Sequence, residues 1–503
     1  MRVRDLFEHG LPLALLGAYV LVAPSFDLLP AINSYDEKRL GQLGIILITC
    51  IWLIASREAR VALLDLLARM PLWVRLSLAA IGILGLTSAL YATDPRIALL
   101  EVTHLALLFV LAAAVAGAFR RLGAAADMLM LSALCASAAI VVFDYYLLYV
   151  TSAATAATTS TSAILPQFAF PHFANVRFFG QWQTWTLPLL TGACLYLRGR
   201  GRARYWATLV ICSLWWSLLV ATATRGTLLG LAVAAMTIAA LLGARAGRWL
   251  RVFATTAGAG LATYAAAYLA VPQGRAAFSG MFDHVASPSA SGRAALWNEA
   301  LELIRSHPLL GVGPQNYALQ DMLTAHPHNS ILQLACEWGV VAAAIALALA
   351  ATGILAWAMT VRQALPAQPL SSDPSASGPG AVADPSVMIS LTASLVAAAT
   401  HSLVSGILVM PLSQTMLALV GGWAAGIAVR GTTTTMPSGR TQATAVVGLA
   451  AAAIAMVVCA VPPSGAAWFE RHEIAGMKRE RLQPRFWMRT RPPRVPLEVP
   501  PRR

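Results

Sequence analysis

The chain has 503 residues, of which 58% are hydrophobic and 12% charged, and its mean hydropathy is +0.67. Soluble domains carry roughly 25% charged residues, so a large soluble core is excluded. The formal net charge of +14 is read as membrane topology, because no soluble basic module studded with aromatics exists to bind nucleic acid.

The apolar runs are continuous and near 20 residues long, without the alternation of a barrel strand. They imply an all-α, polytopic transmembrane bundle. The first run, 11–32, follows "MRVRDLFEHG". It is longer than a signal-peptide core and has no small-residue cleavage site, so it reads as a span. Further spans are expected at 41–56, 74–92, 97–118, 127–150, 183–198, 205–223, 226–244, 252–271, 329–361, 387–409, 412–429 and 442–462. With the N-terminus inside, eighteen basic residues fall in inner loops, among them Arg57, Arg120, Arg198 and Arg430. Eight fall in outer loops, including Lys38, Arg39, Arg177, Arg225 and Arg293. That bias supports this orientation. Residues 1–462 form the transmembrane domain, and 463–503 a basic tail ending "RTRPPRVPLEVPPRR" that reads as disordered. Its side is left open, since thirteen spans put ten basic residues outside.

Outer segments stand at 151–181 and 272–328, and the inner linker 363–386 is flexible. The six cysteines lie within apolar runs and read as small core residues. Glu101, His104, Asp144 and His401 fall inside spans. Such residues are functional candidates, although Glu101 and His104 sit one turn apart and can satisfy each other.

Three of the outer-loop arginines stand out. Arg177 lies among aromatics in "FANVRFFGQWQTW" and suits an interfacial anchor as well as a ligand contact. Arg225, in "ATATRGTLLGL", is flanked by apolar sequence and needs water or an anion beside it. Arg293 opens an amphipathic helix of about four turns, with Leu296, Trp297, Ala300, Leu301 and Ile304 at helical spacing. A turn at 288–292 precedes it and Pro308 ends it. A cation in a first helical turn opposes the dipole unless an anion joins it.

In "TAHPHNSILQLACEWGVV", Asn329 is placed to cap the span at 329–361 and to hold His328 at the membrane edge. His328 reads either as an inert interfacial side chain or as a general base. His326 is separated from it by Pro327, so the two rings are expected to diverge. No metal-ligand spacing is present, and no metal or cofactor is expected.

Together "TRGTLLGL", "SGRAALWNEALELIRSHPLLGVGPQNY" and "HPHNSILQLACEWG" resemble the O-antigen ligase and polymerase superfamily. Its hallmark is His, then Asn, Ser or Gln, nine residues, Gly, two residues, then Gly, Thr or Tyr. His328, Asn329 and Gly339 fit, and Ala342 departs at the last position. The resemblance implies a bacterial inner-membrane glycosyltransferase with a periplasmic site. It would move an O-antigen glycan from undecaprenyl pyrophosphate to lipid A–core, inverting and without a metal. By motif position, Arg225, Arg293 and His328 would be catalytic; Arg177, Asn329, Trp297 and His326 are expected to bind substrate. An O-antigen polymerase or a protein O-oligosaccharyltransferase would use the same donor. A membrane transporter is the alternative of another class, although no repeated halves with broken spans are evident.

Overall fold

A computed structural model describes residues 8–29, 32–159, 170, 172–271, 274–275, 278–280, 293–320, 324–365, 383–461 and 482–490. The expected turn at 288–292, most of the linker and most of the tail lie outside these residues, as do 160–169 of the first outer segment.

A backbone in hydrocarbon must satisfy its N–H and C=O groups within its own segment, so apolar runs fold as helices. In chain order these are α1 Leu11–Val22, α2 Ser34–Ala55, α3 Arg57–Arg69, α4 Leu72–Leu90, α5 Pro95–Leu122 and α6 Ala124–Thr159. Then come α7 Val176–Arg198, α8 Arg202–Thr222, α9 Arg225–Leu242, α10 Gly247–Leu269 and α11 Arg293–Ser306. The last are α12 Ser330–Trp338, α13 Val340–Ala364, α14 Pro385–Ser402, α15 Pro411–Ala428 and α16 Gly439–Ala460. A short antiparallel hairpin follows, β1 Leu482–Pro484 and β2 Met488–Thr490.

Eight helical stretches are long and apolar enough to cross a membrane, and the chain is a multi-pass membrane protein. Each expected span overlaps a helix, the first, 11–32, only over Leu11–Val22. Helix α7 is less apolar because its neighbours shield it: Gln183 donates to the Trp215 carbonyl at 2.8 Å, and Thr186 accepts from Trp215 Nε1 at 3.0 Å. A polar side chain costs little in a bundle interior when its partner is another helix.

Several expectations are corrected. The run 329–361 is two helices, broken at Gly339. Helix α14 stops at Ser402, short of 409. Lys38 and Arg39 belong to α2 and are buried. Glu101 and His104 do not satisfy each other: Glu101 accepts from Gln315 Nε2 at 2.8 Å, and His104 Nε2 pairs with Gln42 Oε1 at 3.1 Å.

The two ends of the bundle differ. At one end Asp65 holds Arg69 at 3.0 Å and Arg120 at 2.6 Å, and Arg430 pairs with Asp127 at 2.8 Å. The other end carries α11 and the 307–320 segment. Ser88 Oγ donates to the Leu310 carbonyl at 2.6 Å, and the Asp94 N–H donates to Asn316 at 2.8 Å. The hairpin lies at this same end, where Trp487 Nε1 donates to the Ala460 carbonyl at 3.3 Å. The side of the tail's described part, open in the sequence, is therefore the side of the loop.

Candidate functional site

The break at Gly339 organises the site. Its φ is +87°, which only glycine adopts freely. Any Cβ there would lie 1.9 Å from the Leu309 carbonyl oxygen. That close approach lets the "GVGP" turn dock on the helix ends. Val340 N–H donates to the Pro308 carbonyl at 2.9 Å, Val312 to Cys336 at 2.8 Å and Gly313 to Glu337 at 3.0 Å. Otherwise-orphaned carbonyls at the end of α12 are thereby paired. Ala342, where the motif departs, is fully buried against Val102 and Trp338, so the position takes a small side chain.

At the other end of α12, Asn329 caps as expected, its side chain accepting from Ile331 N–H at 3.0 Å and Leu332 N–H at 3.1 Å. His328 has φ +54°, a left-handed conformation that turns the chain back on itself. The expected divergence of the two histidines does not occur. Their ring centroids stand 4.2 Å apart at 72°, and His326 Nδ1 accepts the His328 backbone N–H at 3.3 Å. His326 is buried against Gly406, where a Cβ would come within 2.3 Å of its Cε1.

Arg177, Arg225 and Arg293 each stand in the first turn of a helix, α7, α9 and α11. Helix α11 seats Leu296 and Ala300 in the protein and leaves Arg293 partly exposed. Burial, followed by the charges of Arg177 and Arg225, pushes Arg293 below its ordinary value. Burial, then Arg177 and Arg293, lowers His328 to about 4. Arg177 and Arg225 therefore lie within electrostatic reach of Arg293, and Arg177 and Arg293 within reach of His328, and all these charges are positive. Helix N-termini add their own partial positive charge. Like charges brought together in partial burial make a site for an anion. His328 is neutral at physiological pH there, so it can accept a proton.

Trp297 lies one turn after Arg293, and its indole N–H is buried with no acceptor among the described residues. Two further groups sit beside the cluster. His401, one of the intramembrane candidates, accepts or donates at Thr184 Oγ1 at 2.7 Å, and its Nε2 faces the Gly226 backbone next to Arg225. Gln181, one turn after Arg177, donates to Ser405 at 2.9 Å, and its Oε1 has no partner among the described residues. Sequence reading missed Gln181; its only signal was the four-residue spacing from Arg177. Asp144 is elsewhere, 4.0 Å from His172.

Residues 207–347 match the family model described as O-antigen ligase. The match includes Arg225, Arg293, Trp297, His326, His328, Asn329 and Gly339 but neither Arg177 nor the hairpin. The family implies a glycosyltransferase-like enzyme acting on lipid-linked glycans. No curated protein matches the chain.

Proposed function

We propose that this chain transfers an O-antigen glycan from undecaprenyl pyrophosphate to a hydroxyl of lipid A–core. The reaction would take place on the periplasmic face of the bacterial inner membrane. The observation that carries the reading is the placing of Arg177 and Arg293 beside His328, with Arg225 beside Arg293. The basic bias of the opposite end favours that end as the cytoplasmic one.

Each group has a task. The guanidinium groups bind the pyrophosphate through paired N–H donors and take up the charge that develops as the glycosidic C–O bond breaks. His328 takes the proton of the acceptor hydroxyl as its oxygen attacks the anomeric carbon. Attack opposite the leaving group inverts that carbon. The electron pair of the broken bond leaves with undecaprenyl pyrophosphate, which needs no proton to depart. Trp297 lines the approach, His326 accepts the His328 backbone N–H, and Asn329 holds His328 by capping α12. The arginines supply charge that a metal ion supplies elsewhere, so the step is metal-independent.

The test is transfer by purified protein in detergent, with chelator present. Undecaprenyl-pyrophosphate glycan is offered with lipid A–core, with a second lipid-linked glycan, or with a serine-containing peptide. Labelled lipid A–core is the expected product. Labelling of the second glycan would make the chain a polymerase, and labelling of the peptide a protein O-oligosaccharyltransferase. Loss of transfer on chelation would overturn the metal-independent step.

A further inference from the structure

The hairpin lies outside the matched segment, yet three of its side chains are buried at the site end: Arg485, Phe486 and Trp487 are 6%, 5% and 6% exposed. Its backbone is held by α2. Tyr35 Oη donates to the Arg485 carbonyl, and Arg39 Nε donates to the Phe486 carbonyl at 3.0 Å. The Phe486 ring packs edge-on to His104 at 5.2 Å and under the Arg39 guanidinium at 4.7 Å.

Arg485 reaches α12. It forms a buried ion pair with Glu337. Gln333, one turn earlier on the same face, accepts from Arg485 Nη1 at 2.5 Å and Nη2 at 3.2 Å once its amide oxygen is turned toward the guanidinium. One guanidinium therefore grips two turns of the helix that Asn329 begins and His328 precedes. A buried pair of this kind is weak evidence of stability but can fix one arrangement against others.

We infer that Arg485 is a positioning residue for transfer, setting α12 through Glu337 and Gln333 so that His328 keeps its place among the arginines. The inference rests on the transfer reading above. Arg485 also acts on its neighbour: after burial and His328, its charge holds His326 well below its ordinary value. A neutral His326 keeps the Nδ1 lone pair that receives the His328 N–H.

The experiment uses the full chain in detergent and compares wild type with Arg485→Gln, Arg485→Lys and the double variant Glu337→Gln/Arg485→Gln. Hydrogen exchange of the peptide 324–340 is read beside steady-state transfer. In Arg485→Gln, exchange should rise about tenfold, and kcat should fall about 10- to 100-fold with donor KM nearly unchanged. Arg485→Lys should recover part of kcat. The double variant leaves no unpaired buried charge, so it should melt near wild type while its kcat stays low. Unchanged exchange in Arg485→Gln would overturn the inference. So would full kcat in the double variant, which would mark the pair as a structural strap. If wild type transfers to no acceptor, the transfer reading fails by itself, and the exchange comparison still decides whether Arg485 sets α12.

Discussion

Gly339 and Leu309 meet backbone to backbone, at a separation that leaves no room for a Cβ on the glycine. The contact joins the segment that follows α11 to the end of α12, the helix that His328 precedes. Gly339→Ala introduces both a clash and a side chain at φ +87°. The strain alone is about 1–3 kcal/mol. The variant should melt at lower temperature in detergent and lose most transfer activity; a wild-type melting curve would show that the close approach is dispensable.

Burial, and after it the charges of Arg177 and Arg293, set the pH response of His328. Its value is depressed to about 4, below the ordinary 6.5. The base stays unprotonated at every pH above the depressed value, so the acid limb of kcat/KM should fall near pH 4, well below pH 6. Removing a cation reverses part of the shift. Arg177→Gln should move that limb to higher pH, and an unmoved limb would separate Arg177 from His328.

Arginine and lysine differ at a pyrophosphate. The lysine in Arg293→Lys keeps charge but not the planar pair of donors. Transfer should fall at least about tenfold in that variant, more in kcat than in donor affinity if the contact strengthens as the bond breaks. Full activity would exclude a bidentate contact.

His326 acts through its lone pair. Asparagine can place Oδ1 where Nδ1 now accepts the His328 N–H at 3.3 Å. His326→Asn should therefore keep more activity than His326→Ala. Equal losses would mean that ring packing against Gly406, rather than the hydrogen bond, is what the site requires.

Much of this was readable in the residues. The helix opening at Arg293, the Asn329 cap and the many-helix bundle each rest on local rules: helical spacing, a capping side chain, and apolar length. What was not readable depends on contacts distant in sequence. The break at Gly339 hides in a continuous apolar run, because its cause is Leu309 arriving from the loop. The approach of His326 to His328 follows from a left-handed φ at His328, which Pro327 does not announce. The tail's composition reads as disorder, yet Arg39 and Glu337 wait in the bundle for Arg485 and Phe486. His401 reads in the sequence as one of two intramembrane histidines, and only α14 brings it beside the helix of Arg225.

The central claim divides two tasks between the arginines and His328, and donor binding measured beside single-turnover transfer separates them. In purified protein, His328→Ala should bind undecaprenyl-pyrophosphate glycan within about twofold of wild type and transfer none of it. Arg293→Ala should lose donor binding. Transfer at the wild-type rate by His328→Ala, or undiminished donor binding by Arg293→Ala, would contradict the account.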